Sequence, residues 1–226
     1  MALEVKNAAS DRPELWIYGP IGRVLDGISD DDVRVALSDL PNHVPIDVRI
    51  NSDGGIFSDA VAMYSLLSRR KGDVHVIVDG RAYSAGSIVA MAGKTIEMAR
   101  GSWMMIHEAM GTVEGGRAEE MRQRANKLDA INAQIRGFYA KRWKKSESEL
   151  IDAMARTLWM KDDDAVALGM ADFVSESMAV AAHFDAEKFG YANVPEELTA
   201  AAESSFPNMA KRAAKVADLA GLVQTS

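Results

Sequence analysis

The 226-residue sequence contains no cysteine. That absence excludes a disulfide framework, a thiolate nucleophile and a cysteine-ligated zinc, and it suits a reducing compartment. Basic charge is in short supply as well: 26 Lys and Arg stand against 33 Asp and Glu, for a formal net charge of -7. The basic residues are scattered, densest at 141–145. No patch large enough to neutralise several phosphates is visible, so a nucleic-acid partner is not expected. Long apolar runs are missing too. Residues 1–13 have no apolar centre and do not read as a signal peptide, and no run approaches the ~20 residues of a bilayer span. The expectation is a soluble, cytoplasmic protein with no membrane partner, no metal and no cofactor.

What is present is a core. Apolar residues make up 48% of the chain, enough for one domain with an appendage at one end. Runs at 15–18, 46–51, 74–78, 95–99 and 103–106 read as strands, with a short closing strand at 171–175. Ser29, followed by three aspartates, caps a helix to about Leu40. A second helix begins at Ser58, with Val61, Tyr64, Leu66 and Leu67 on its apolar face. The spacing predicts a long helix over 117–143, with Met121, Leu128, Ile131, Ile135, Phe138 and Tyr139 on one face. At 1.5 Å per residue it would span about 40 Å, which projects beyond the body and leaves its stripe for a partner chain. Ser146 and Glu149 form a capping box for a helix to about Ala155, and another helix runs from Asp162 to a C-cap at Gly169. Strands alternating with helices argue for an α/β fold with a largely parallel sheet, flanking helices and one long projecting helix. Beyond Ser175 the composition shifts to Ala, Lys and Glu, with a break at Pro195 and a last helix over about 208–222.

The chemistry centres on Gly80-Arg81-Ala82-Tyr83-Ser84-Ala85-Gly86. A β-branched run precedes it and an apolar, small-residue helix comes after it, so Ser84 stands where a strand hands over to a helix. There its hydroxyl is lifted off the sheet edge, and the helix N-terminus offers free N–H groups to a developing negative charge. The pattern is close to the G-x-S-x-G nucleophile elbow, with Ala82 for the first glycine. Taken alone, a serine capping a core helix is the commoner origin of such a pattern. Two further features stand in order around it. Asn51-Ser52-Asp53-Gly54-Gly55 is a glycine turn after a strand, and His107 lies at the end of a later strand. Acyl transfer from a serine needs a base within hydrogen-bond reach and two donors for the oxyanion. Of the other histidines, His75 lies inside a strand, His43 in a proline loop and His183 in the tail.

Three segments resemble the ClpP family of serine peptidases: Ile50 to Gly55, where the family has a proline at the position of Asp53; Gly80 to Gly93; and Met104-Met105-Ile106-His107-Glu108. The long helix and the stretch from Asp164 to Asp172 add weaker likeness. Together they cover about 14–175 and imply a ClpP/crotonase-like fold. The resemblance implies Ser84 as nucleophile, His107 as general base, and the N–H groups of Gly55 and Ala85 as the oxyanion hole. Counting back from Trp159, the position of the family's aspartate holds Thr157, which can orient an imidazole but cannot stabilise an imidazolium as a carboxylate does. A Ser-His dyad helped by Thr157, recruitment of Asp152, and a shifted register are the three readings.

The motif wording further resembles the head maturation proteases of tailed bacteriophages. The Trp16 to Gly22 motif lies near the N-terminus, leaving little chain for loops that an ATPase would grip, and the tail is similar as well. This implies a short N-terminal arm (1–13), a peptidase domain (14–175) and a helical extension (176–226). It also implies homo-oligomeric rings, single or stacked, that cleave scaffold or capsid proteins without ATP, in the host cytoplasm or inside the prohead. The alternatives are a housekeeping ClpP-type subunit with an ATPase partner, an acyl-CoA enzyme of the crotonase type, and a silent shell component.

Overall fold

The computed structural model describes residues 3–178 and 190–198. Strand β3, Ile46–Ser52, shows how the sequence builds the sheet. Its residues alternate strictly between buried and half-buried, with Ile46, Val48, Ile50 and Ser52 inward and Asp47, Arg49 and Asn51 on the other face. The same alternation runs through β2, Glu14–Tyr18. By contrast, β4, Val74–Tyr83, is buried along most of its length, as the central strand of a parallel sheet should be.

Around this centre stand β1 (Glu4–Lys6), β5 (Thr95–Arg100), β6 (Trp103–Ile106), β7 (Leu158–Lys161) and β8 (Phe173–Met178). Among the described residues the main path of the sheet runs β1-β2-β3-β4-β5-β8. All neighbours on it are parallel except β1 and β2. The start of β4 pairs with β5, whereas its end, Arg81 to Tyr83, pairs in parallel with β6. Strand β7 then adds to β6 antiparallel. This split partnering of β4 brings β6, and with it His107, alongside the end of β4.

The helices are α1 (Asp30–Ser38), α2 (Phe57–Ser68), α3 (Ala85–Ala90), α4 (Ala118–Tyr139), α5 (Glu147–Ala155) and α6 (Asp162–Leu168). The capping box expected at Ser146 with Glu149 forms, and Ser29 caps α1 as expected, there too as a capping box, with Asp32. Gly169 ends α6 at φ 86. Helix α3 is buried throughout, and α2 packs on it.

The structure is thus a mixed α/β fold with a sheet of mainly parallel strands and flanking helices, and several details differ from the sequence reading. The buried face of α2 is Ala60, Met63 and Leu67, an i, i+3, i+7 stripe, while Val61, Tyr64 and Leu66 lie at its half-buried margin. Helix α4 stops at Tyr139, four residues short of the expected end. Only its last third is buried, through Asn132, Ile135 and Tyr139, and Met121 near its start is 51% exposed. The first residues pair with the sheet as β1, and the closing strand starts at Phe173 rather than Ala171.

The chain divides into two units, Met1–Ala181 and Ala182–Ser226. In the second, the described part has one helical turn after Pro195, where the Leu198 N–H donates to the Pro195 carbonyl. The helix expected over 208–222 and His183 lie outside the described residues.

Candidate active site

Ser84 comes directly after β4 and is the N-cap of α3, at φ 51 and ψ -117. A non-glycine residue in this region costs on the order of 1–3 kcal/mol and persists only when its surroundings hold it. Here they do. The Ser84 N–H donates to the Met105 carbonyl at 2.9 Å, and its own carbonyl accepts from the Ser87 N–H at 3.0 Å and the Ser87 hydroxyl at 2.6 Å. The Ser84 side chain caps nothing in α3. Instead Oγ lies 2.7 Å from His107 Nε2, so the helix-cap reading does not describe this serine.

His107 reaches Ser84 because β6 pairs in register with the end of β4, Tyr83 opposite Met105. Burial lowers the imidazole pKa to about 4, which keeps the ring neutral at pH 7. In the tautomer protonated on Nδ1, Nε2 accepts the Ser84 hydroxyl proton.

Two backbone donors are available. Ala85 is the first residue of α3, where an N–H has no acceptor in its own helix. Gly55 sits at φ 146 in a bridge to Ile21, and a Cβ there would overlap the Ile21 carbonyl, so only glycine fits. The hydrogen bonds of that bridge run from the Ile21 N–H to the Gly54 carbonyl and from the Ile56 N–H to the Ile21 carbonyl, each 2.8 Å. The Gly55 N–H takes part in neither. Ser52 and Gly86 meet closely, a Cβ on Gly86 falling 3.2 Å from the Ser52 Cβ. The glycine turn after β3 therefore borders the first turn of α3.

The third position is different. Strand β7 pairs antiparallel with β6, Ile106 opposite Leu158, so one further step of the ladder sets Thr157 opposite His107. Thr157 is at φ 56, and its N–H donates to the Met154 carbonyl at 3.1 Å. Asp152 is exposed on α5. Among the described residues no hydrogen bond joins the side chain of either residue to His107. The segment is anchored by Trp159, whose ring packs edge-on against Tyr83 at 4.9 Å between centroids.

His75 and His43 lie elsewhere. His75 Nε2 is 3.1 Å from Glu97 Oε2 inside the sheet, and its ring stacks on Phe173. His43 is exposed in its proline loop.

Three groups around the site were not foreseen. Arg81 and Asp53 form a buried ion pair, with Arg81 Nη2 2.9 Å from Asp53 Oδ2. Asn132 accepts the Ala109 N–H at 2.7 Å, two residues past His107. Tyr139 lies 2.8 Å from the Ser87 hydroxyl. Because Ser87 spends its proton on the Ser84 carbonyl, the Tyr139 hydroxyl is the donor. The last third of α4 is thereby tied to both sides of the Ser-His pair.

Residues 32–178 match the Clp protease family. The chain belongs to that family. Clp proteases are serine peptidases, and the match spans Ser84, His107 and Thr157 and ends with β8. The chain is 31% identical over 140 residues to the ATP-dependent Clp protease proteolytic subunit 2 of Bacillus licheniformis, covering 61% of this chain and 73% of the relative. A solved ClpP1 point mutant from Listeria monocytogenes shares the fold at a TM-score of 0.62 and 22% identity, over 73% of this chain and 91% of the other. For a Clp family chain, the unforeseen Asp53–Arg81 pair had one visible signal in the sequence. Asp53 stands where the resemblance drawn from the sequence implies a proline, and Arg81 is the one charge in a stretch of otherwise uncharged residues from Gly80 to Gly93.

Proposed function

We propose that this protein is an ATP-independent serine endopeptidase of the kind that matures phage heads, cleaving scaffold or capsid proteins. The observation that carries the peptidase reading is the 2.7 Å contact between Ser84 Oγ and His107 Nε2, made by a serine held at φ 51. An acyl-CoA enzyme of the crotonase type has no need of that pair. In the proposed reaction Oγ attacks the scissile carbonyl carbon while its proton passes to Nε2. The Gly55 and Ala85 N–H groups bind the resulting oxyanion. The C–N bond then breaks, the proton moves from His107 to the leaving amine, and an acyl-enzyme remains on Ser84. Water, deprotonated by the same imidazole, releases the second product. Thr157 stands at the third position of this site, one ladder step beyond the Ile106–Leu158 pair.

The phage assignment is supported by the wording of the motifs and by the tail beyond the family match. A second reading has its own support: the Bacillus relative is named as an ATP-dependent subunit, and on that reading an ATPase would feed this chain. In either case the protein works as a homo-oligomeric ring. The exposed apolar side chains Met110, Val113 and Met121, at 54%, 37% and 51%, supply the contact between subunits. Incubation of the purified protein with fluorescently labelled casein separates the readings. Cleavage without nucleotide, absent in Ser84→Ala, together with a native mass of several chains, is the expected result. Cleavage only when an ATPase and ATP are added would establish the second reading.

A further inference from the structure

The turn after β3 sets Gly54 and Gly55 side by side at φ 97 and φ 146, residues that bring no side-chain restraint of their own. The Ile21 bridge and the Ser52 hydroxyl, which accepts from the Gly54 N–H at 3.1 Å, hold it from the β2 and β3 side. An oxyanion donor depends on such restraint. Its worth, roughly 10²–10³ in rate, comes from being fixed before charge develops. A proline ahead of the two glycines would restrain the turn through its locked φ. Asp53 stands there instead. It has no ring, but its carboxylate is paired with Arg81, and the side chains are only 12% and 11% exposed.

Arg81 is on β4, three residues before Ser84, and the register places Ser52 opposite Ala82. We propose that the Asp53–Arg81 pair is a positioning device for the oxyanion hole, an ionic bolt that fastens the Gly54-Gly55 turn to the strand carrying the nucleophile. The two residues explain each other, since either one buried alone would be strongly destabilising. Guanidinium geometry suits the task, because its rigid fork fixes the direction of a carboxylate as well as its distance. The turn so held borders α3, whose first amide, Ala85, is the second donor. Asp53 and Arg81 touch no reacting atom; they act through the Gly55 N–H.

The inference rests on Ser84 being the nucleophile, so the test uses a reagent that reads both. A fluorophosphonate forms an Oγ–P bond at Ser84 as fluoride leaves and the hydroxyl proton passes to His107, and its phosphoryl oxygen occupies the oxyanion hole. The rate constant at saturating probe should fall roughly 10–100-fold in Asp53→Asn and in Arg81→Met, with the half-saturating concentration changed less than about threefold. Asp53→Pro combined with Arg81→Leu, which removes both charges and restores the ring, should return to within about threefold of the parent. Arg81→Lys keeps the charge but loses the fork; it should fall about 3–10-fold and serves if the single variants do not fold. Unchanged saturating rates in folded single variants or in Arg81→Lys, a change confined to half-saturation, or no recovery in the double variant would each overturn the positioning role. A parent protein that is never labelled overturns the Ser84 reading itself, and the two failures are thereby told apart.

Discussion

Ser84 and Thr157 are both non-glycine residues in the left-handed region, at φ 51 and φ 56, and both sit where a strand meets a helix beside His107. They differ in what the strain delivers. At Ser84 both backbone groups are held by hydrogen bonds, and the side chain is carried to 2.7 Å from His107. Thr157 carries a β-branched side chain, which tolerates positive φ poorly. Yet the hydroxyl makes no bond to the imidazole among the described residues. One corner delivers a hydroxyl to the imidazole and the other does not, although the ladder sets both against the same histidine. Strain marks a position as constrained; only the contact says what the constraint achieves.

The largest losses are expected at the Ser84–His107 pair. Ser84→Ala and His107→Ala should each lower kcat/KM by about 10⁴-fold or more, measured on a cleavable peptide. Ser84→Gly should do the same while relieving the strain, gaining on the order of 1 kcal/mol and raising Tm by ~2–4 °C. A Gly variant that melts lower than the parent would mean the backbone there is not strained. Next in size is Gly55→Ala, where the new Cβ must displace the Ile21 carbonyl. Its kcat should drop by about 10²–10³, and an unchanged kcat would remove Gly55 from the oxyanion hole.

Smaller effects are expected at Thr157. Thr157→Asp places a carboxylate at the position facing His107 and should raise kcat/KM by about tenfold. Thr157→Ala should lower it by about 3–10-fold, and Asp152→Asn should stay within about twofold, because that carboxylate lies exposed on α5. The reverse order of the last two would give Asp152 the third role.

Acidification produces the most gradual change. Burial holds the His107 pKa near 4, below the ~6.5 of a free imidazole. The acid limb of kcat/KM should therefore fall near pH 4, and a limb near 6.5 would show a solvated ring. Between those values the unfolded chain binds the proton and the folded chain does not. Stability is unaffected above ~6.5 and declines as pH falls towards 4, by ~3 kcal/mol in all from this group.

Much of this was legible because it is local. Apolar runs marked β2 to β6 as strands, and small residues around Ser84 announced a tight strand-to-helix junction. Capping residues set the starts of α1, α5 and α6 within a residue or two. What could not be read depends on partners distant in sequence. Nothing near Arg81 in the chain names Asp53, and Tyr139 shows its role only when α4 lies against Ser87. The face of α2 was misjudged because so many of its residues are apolar that periodicity alone does not choose among them. At Thr157 the identity of the residue was plain, but its left-handed backbone and its place across from His107 come from the β6–β7 ladder, which only the fold supplies.

The Ser84–His107 pair is tested most directly by mass spectrometry after reaction with a fluorophosphonate. One adduct per chain, mapping to the peptide that holds Ser84 and formed at least about 100-fold more slowly in His107→Ala, is the expected result. Labelling of the His107→Ala variant at the parental rate, an adduct at another residue, or none at all would contradict it.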